Sequence, residues 1–405
     1  LHNLRFFFFL VSTLGWGQTL TLEQALREAL AQHPLLDVSS ARITSFEGKT
    51  QQAALRPNPL FVYQTEDFRV WDQPRHRFWQ DADHFLYLQQ TFETASKRAR
   101  RTDVAMAQQR RAEIELLQQK QSIAARVRSA FWDAAGAQAR LAMYQQAERE
   151  LEIIVQYHRD QAKEGLRAEA DLLRVELELQ KLDFLAAQAA FDSQREQIRL
   201  QREMGRTEIQ ELSVEADLER PARTPLPENW ERARAMRADA QLASQIVLLA
   251  NAQIALENSL SRPNLDGIAG YKRSRTFDTV IWGVQMPLPV FNRNQGNIAS
   301  ATAEQRLARS AETATLAILR AEVAAAEAEL SARQRQWEAY AKPLRERTQF
   351  LLDLAQQAYR LGGADLLRLL DAQRNMLELR QLHLDALIAL RQAEANLESV
   401  LGVLP

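Results

Sequence analysis

Cysteine is absent from the 405 residues, so no disulfide, thiolate metal site or cysteine nucleophile can be built from them. Glycine and proline are scarce, at 13 and 12 residues. So few turn formers in a chain crowded with Ala, Leu, Gln, Arg and Glu favour long helices. Neither charge sign prevails, with 51 Lys and Arg against 52 Asp and Glu, and no net field attracts nucleic acid or an anionic surface. Beyond the first residues no apolar run reaches about 18, so no single helix can cross a bilayer; a chain that spans must span with strands.

What is present begins with Arg5, an apolar run from Phe6 to Leu14, and small residues at Gly15 and Gly17. This layout predicts a secretory signal over residues 1–17 and export.

The rest is written twice. Arg56-Pro57-Asn58-Pro59 recurs as Arg262-Pro263-Asn264-Leu265, each ending a helical pattern ahead of a strand-like run. Gly165 followed by Asp171-Leu172-Leu173-Arg174 recurs as Gly362 and Gly363 followed by Asp365-Leu366-Leu367-Arg368. Met204-Gly205 and Leu401-Gly402 close the copies alike. The predicted organisation is a first repeat over 18–205, a linker over 206–227 carrying Pro221, Pro225 and Pro227, a second repeat over 228–402, and a short tail at 403–405.

Each repeat contains one helical stretch too long for an ordinary globular domain, from about Ser96 to Lys163 and from about Asn297 to Leu361. At 1.5 Å per residue these are rods of about 100 Å. In the second, Leu316, Val323, Leu330, Trp337, Leu344, Leu351 and Ala358 fall every seven residues, the spacing of a coiled-coil seam, with Leu319, Ala326, Tyr340, Leu354 and Leu361 beside it. The first carries Leu117, Ala124 and Phe131, then Val127, Ala134 and Leu141. Pro343 predicts a bend in the second rod. Shorter helices are expected over Leu22–Leu55, Ala168–Met204, Glu228–Ser261 and Asp365–Leu401.

Strand signals fall at about 58–68, 84–92, 265–275 and 279–287, near the length of a tilted spanning strand. Val280, Trp282, Val284 and Met286 alternate with Thr279, Gly283 and Gln285, as a lipid side and a lumen side would. Phe61, Tyr63, Phe85 and Tyr87 add aromatics suited to a membrane interface. Four strands cannot close, and an open edge in lipid leaves backbone groups unsatisfied, so a spanning barrel needs at least two chains.

With these features the sequence resembles the TolC-like outer membrane efflux family over about Leu20 to Gly402. The most specific stretch is Leu288-Pro289-Val290 followed by the strand-to-helix joint Phe291-Asn292-Arg293-Asn294-Gln295-Gly296, similar in wording to the CzcC-type heavy-metal efflux branch. The joint of the first copy, Gln90 through Glu93 and then Lys97-Arg98-Ala99-Arg100, has Ala95-Ser96 where many relatives carry glycines.

The resemblance implies a mainly α fold with a membrane β-barrel portion: a homotrimer whose twelve strands, four per chain, close one barrel continuous with a cylinder of long helices. It implies the outer membrane, outer membrane lipid around the strands, and a periplasmic extension. The partners it implies are a periplasmic adaptor (membrane fusion) protein and an inner-membrane efflux pump, the chain being the passive exit duct of a tripartite system that exports metal cations or other small molecules. Adaptor docking would fall on the tip residues Gly165, Leu166, Asp171, Leu172, Gly362, Gly363, Ala364, Asp365 and Leu366. A periplasmic gate would fall on Arg368 and Asp371. Glycine at a helix end and Asp near the next N-terminus also serve turn geometry alone, and Arg368 with Asp371 also fits a surface ion pair.

His76, Asp81, Asp83 and His84 are metal-ligand types but match no standard spacing. No phosphate-cradling loop or nucleophile elbow appears, so no catalytic residue, metal site or cofactor is assigned. The rival readings are a periplasmic adaptor, which should carry one helical hairpin within all-strand domains, and a soluble coiled-coil scaffold.

Overall fold

A computed structural model describes residues 18–69, 71, 75–165, 168–220, 229–275, 277–361, 363 and 365–405, with the backbone alone at 18, 341–342, 344–346 and 348–349. The expected signal at 1–17 and the linker prolines lie outside the described residues. The elements are β1 (Gln18–Leu20), α1 (Leu22–Gln32), α2 (Pro34–Ala53), β2 (Leu60–Glu66), α3 (Phe78–Asp81), β3 (Asp83–Phe92), α4 (Lys97–Lys163), α5 (Glu169–Glu203), β4 (Leu212–Val214), α6 (Asn229–Met236), α7 (Ala238–Leu260), β5 (Leu265–Ser274), β6 (Phe277–Gln285), α8 (Gln295–Gln336), a π-helical turn (Trp337–Ala341), α9 (Lys342–Arg360) and α10 (Leu366–Val400). They divide into two compact units, each drawing on both halves of the chain: Leu1–Leu36 with Lys120–Ala233 and Ala321–Pro405, and Asp37–Gln119 with Arg234–Arg320.

Two expected helices are each broken once. Thr21 and Gln24 open α1 with a reciprocal capping box. The helix then ends at His33, whose extended backbone (φ −67°, ψ 124°) is what the following Pro34 imposes on its predecessor. The helix expected over Glu228–Ser261 divides at Arg237, also extended (φ −68°, ψ 126°), where the guanidinium turns to Asp239 in the first turn of α7.

The long rods are present. α4 runs 67 residues without interruption, and of its expected stripe Ala124, Val127, Phe131 and Ala134 are buried while Leu117 and Leu141 are half-buried. The second rod runs from Gln295 to Arg360 and is interrupted ahead of Pro343 by the π turn. Pro343 has no N–H to donate, and its ring would strike the carbonyl four residues back; a wider turn relieves both.

That turn corrects the predicted seam. One extra residue per turn rotates everything beyond it, so the buried series Leu319, Val323, Ala326 and Leu330 continues at Leu352 and Tyr359. Leu351 is 60% exposed while Leu352 is 3% exposed. Tyr340, Leu354 and Leu361, also assigned to the seam, are exposed.

In the first unit, Tyr144, Leu151 and Val155 of α4, Val175 and Leu182 of α5, Tyr359 of α9 and Leu366, Leu369 and Leu370 of α10 share one core. A feature absent from the sequence reading is the parallel pairing of β1 with β4, Gln18 opposite Leu212 and Leu20 opposite Val214. It places a strand inside the expected linker. The Gln138 side chain grips β4, donating to the Val214 carbonyl and accepting from its N–H, both at 3.1 Å. Further along, the fully buried Arg391 donates to the carbonyls of Leu218 and Arg220 and to Glu394 at 2.7 Å. Glu394 also accepts from Arg220 at 3.1 Å, so the buried charges form a three-residue network.

The second unit carries one antiparallel sheet in the order β2-β3-β5-β6. Its strands are slightly shorter than, or offset by up to two residues from, those expected.

Candidate functional site: sheet, joint and helical tip

Cross-strand register sorts the sheet into two faces. One carries the rows Tyr63, Leu86, Tyr271, Val280 and Phe61, Leu88, Ala269, Trp282. Most of these side chains are exposed, Trp282 by 82%. The other carries Gln64, Phe85, Lys272, Thr279, then Val62, Tyr87, Gly270, Ile281, then Leu60, Gln89, Ile268, Gly283, with Thr91, Asp266 and Gln285. There Lys272 lies 3.3 Å from Asp83 and 4.6 Å over the Phe85 ring, and Thr91 donates to Asp266. The apolar side expected of β6 continues across the sheet in the rows of the first face, while Leu60, Val62, Ile268 and Ile281 make the second face mixed. The four aromatics grouped by sequence separate: Phe61 and Tyr63 sit on the apolar face, Phe85 and Tyr87 on the mixed one.

At one end of the sheet His84 is enclosed by rings. Tyr63 Oη lies 2.8 Å from its Nδ1, the Phe78 carbonyl lies 3.0 Å from its Nε2, and Phe78 and Trp79 stand at 5.0 Å centroid separation. Both ring nitrogens are thus engaged, and among the described residues no group of three metal-ligating side chains occurs.

The strand-to-helix joints are pinned by polar side chains. In the second, Asn294 adopts φ +62° ahead of α8, receives the Ile298 N–H, and donates its side-chain amide to the carbonyl and carboxylate of Glu257 at 2.8 and 2.7 Å. The Asn292 side chain accepts from the Asn294 N–H, and Gln295 accepts from the Arg293 N–H while donating to the Phe291 carbonyl. Gly296 lies in the first turn of α8.

In the first joint Ala95 and Ser96 both hold positive φ, 53° and 58°. Buried Lys97 donates to the Arg262 carbonyl and the Asn264 side chain, and Thr94 donates to the Pro263 carbonyl. Arg101 clamps Glu93 and the carbonyls of Ala53 and Leu55. The recurring Arg-Pro-Asn segment at 262–264 is therefore a docking strip for the first joint. Burial lowers the Lys97 pKa, partly opposed by Glu93.

At the helical tip α4 ends in a turn where Gly165 takes φ +70°, a conformation that strains any residue with a Cβ. Asp365 caps α10, accepting from the Arg368 N–H at 3.0 Å. Its counterpart Asp171 does not cap; Ala168 occupies that position and Asp171 lies in the first turn of α5, beside half-buried Leu172. Gly363 donates its N–H to the Ala358 carbonyl at 2.8 Å, closing α9. Leu366 is buried in the core shared with Val175. Leu166, Gly362 and Ala364 lie outside the described residues.

Arg368 and Asp371 are exposed and one turn apart on α10, yet Asp371 pairs with Arg374 at 3.8 Å. Arg374 in turn holds Glu178 of α5, Arg380 holds Glu150 of α4 at 3.1 Å, and Arg140 of α4 holds Asp385 at 2.6 Å. The hydrogen bond from Arg374 keeps the Glu178 carboxyl below its ordinary range.

The sequence profile of outer membrane efflux proteins matches residues 25–206 and again 230–403. The chain belongs to the outer membrane efflux protein family. It is an outer membrane channel with a periplasmic extension, and not an enzyme; the adaptor and soluble-scaffold readings fall with that assignment. The cobalt-zinc-cadmium resistance protein CzcC of Cupriavidus metallidurans is 24% identical over 386 residues, 95% of this chain and 90% of that protein. Among solved structures, CusC superposes with a TM-score of 0.79 at 17% identity, covering 97% of this chain and 95% of that one. The outer membrane channel MtrE of Neisseria gonorrhoeae, in its open state, gives 0.77 at 17% identity, covering 94% and 88%. The outer membrane protein VceC of Vibrio cholerae gives 0.74 at 19%, covering 94% and 96%.

For this efflux channel, sequence reasoning overlooked Thr94, Arg101 and the Arg391–Glu394 pair. Arg391 and Glu394, one turn apart within an apolar stretch of α10, carried a signal: charges in such a setting are paired.

Proposed function

We propose that three copies of this chain form the passive exit duct of a tripartite efflux system, with twelve strands closing one barrel in the outer membrane. The carrying observation is the four-stranded sheet, largely apolar along the central rows of one face and mixed polar and apolar on the other, whose outer strands β2 and β6 have one unpaired edge each among the described residues. In hydrocarbon such edges are satisfied only by strands of another copy. The apolar rows with Trp282 and Val280 then face lipid, and the row with Gln64, Lys272 and Thr279 lines the lumen.

The duplicated organisation, with repeats over 18–205 and 228–402, supplies two strands and one rod per copy. The tip turns at Gly165 and at Gly363 to Leu366 meet a periplasmic adaptor, and an inner-membrane pump supplies energy and substrate choice. Arg368 and Asp371, exposed on one face of α10, line the gate. The wording shared with the CzcC branch, and the likeness to CzcC itself, favour metal cations as cargo.

Fractionation followed by light scattering of the detergent extract tests this reading. Recovery from the outer membrane at three times the chain mass supports the duct; a monomer recovered without detergent overturns it.

A further inference from the structure

Between β6 and α8 the stretch from Leu288 to Phe291 turns its apolar side chains away from its own unit. Leu288 is 72% exposed, Val290 59% and Phe291 92%, three large apolar side chains standing in solvent within four residues. Flexibility does not account for this. Pro287 and Pro289 fix two backbone angles, the Val290 N–H donates to the Leu288 carbonyl at 2.9 Å, and the Phe291 carbonyl accepts from Gln295. Behind them Asn294 is tied to Glu257 by two hydrogen bonds. A rigid turn thus holds an apolar tip outward, and ordering exposed apolar groups without covering them is unfavourable.

The tip follows the strand whose Val280, Trp282 and Val284 lie on the apolar face, so it lies just past the end of that face. Arg293 is exposed beside it, its Nε donating to the Pro289 carbonyl at 3.3 Å. A cation next to apolar groups at a membrane edge suits lipid phosphate above and acyl chain below. The equivalent turn after β3 is Glu93-Thr94-Ala95-Ser96, with no apolar tip, so the feature belongs to one joint only.

We propose that Leu288, Val290 and Phe291 form an interfacial anchor that enters the phospholipid leaflet at the end of the barrel, with Arg293 at the phosphate level. This rests on the barrel reading above. One anchor per chain fixes the depth of the barrel in the membrane at the place where strands give way to helices.

The absence of cysteine makes the test direct. Phe291→Cys and Val284→Cys, each the sole cysteine in its chain, are labelled with nitrobenzoxadiazole on protein purified from the outer membrane. The labelled proteins are placed in phosphatidylethanolamine and phosphatidylglycerol vesicles containing phospholipids brominated near the carbonyls. Leu288→Cys serves as a second reporter should F291C fold poorly. The expected result is strong quenching by brominated lipid at 291 and at 284, with little quenching by aqueous iodide. Quenching at 284 with none at 291 overturns the anchor while leaving the barrel intact: iodide access at 291 would then place the tip in water, and shielding from both quenchers would place it against another copy. Loss of lipid quenching at both positions overturns the barrel and the anchor with it.

Discussion

Ala95→Gly with Ser96→Gly should stabilise this protein although it removes side-chain atoms. Both residues hold left-handed φ angles, 53° and 58°, where a Cβ costs about 1–2 kcal/mol per residue. They cannot relax, because Thr94 is fixed to the Pro263 carbonyl, Lys97 to the Arg262 carbonyl and the Asn264 side chain, and the Ser96 carbonyl accepts the Arg100 N–H at 3.0 Å. Both side chains are exposed, so no packing is lost. Glycine returns about 0.5–1 kcal/mol of this through the entropy of the unfolded chain, and losing a serine from the start of α4 takes a few tenths more. The net gain is about 1 kcal/mol for the pair, treated together because adjacent sites are not additive. In a chain of this size that raises the apparent melting temperature by about 1–3 °C, read by thermal scans of detergent-purified protein at one fixed rate, since such unfolding is irreversible. The β-branched Ala95→Val should shift the scan the opposite way. A double glycine variant that melts below the parent, beside a valine variant that melts with it, would refute the account of strain.

Three further outcomes follow from local geometry. Leu352→Ala should cost about 2–5 kcal/mol and accelerate proteolysis of α9 more than Leu351→Ala does; the reverse ranking would contradict the one-residue slip at the π turn. Asp365→Ala should lose about 1 kcal/mol with its cap, and Asp171→Ala less, because Asp171 offers only a first-turn charge; equal effects in hydrogen exchange at the two helix starts would count against this. The Glu178–Arg374 pair lowers the folded carboxyl pKa, so its contribution is complete above the ordinary glutamate range and disappears as pH falls through the lowered value. Glu178→Gln should therefore flatten the acid limb of a tip-specific melting or exchange profile, and an unchanged limb would remove the pair from the account.

Much of the fold was legible because its signals are periodic. Leucine and alanine at sevenfold spacing identify a rod over about Asn297–Leu361, and alternation from Thr279 to Gln285, broken at Ile281, identifies a strand with two unlike faces. Pro343 announced an interruption, but not that it would be met by adding a residue, which is why Leu352 displaced Leu351. The break at His33 is legible from Pro34 alone, although the longer helical pattern runs across it. The tip was legible as turns, since glycine and aspartate carry turn chemistry. That Asp365 caps while Asp171 does not depends on where each helix starts, a choice within the reach of one residue.

The sequence by itself determined that the chain is two long rods and two strand pairs without thiol chemistry, because helix propensity, heptad spacing and the lack of cysteine are local or countable properties. Tertiary structure decided which side of the sheet Phe85 and Tyr87 occupy, since a face is set by cross-strand register and a slip of one residue reverses it. It also decided that residues 212–214, short of any periodic signal, pair with β1, and that the carbonyls of Leu218 and Arg220 receive the buried Arg391. Contacts of that kind join segments roughly 190 residues apart and depend on a packed interior to form.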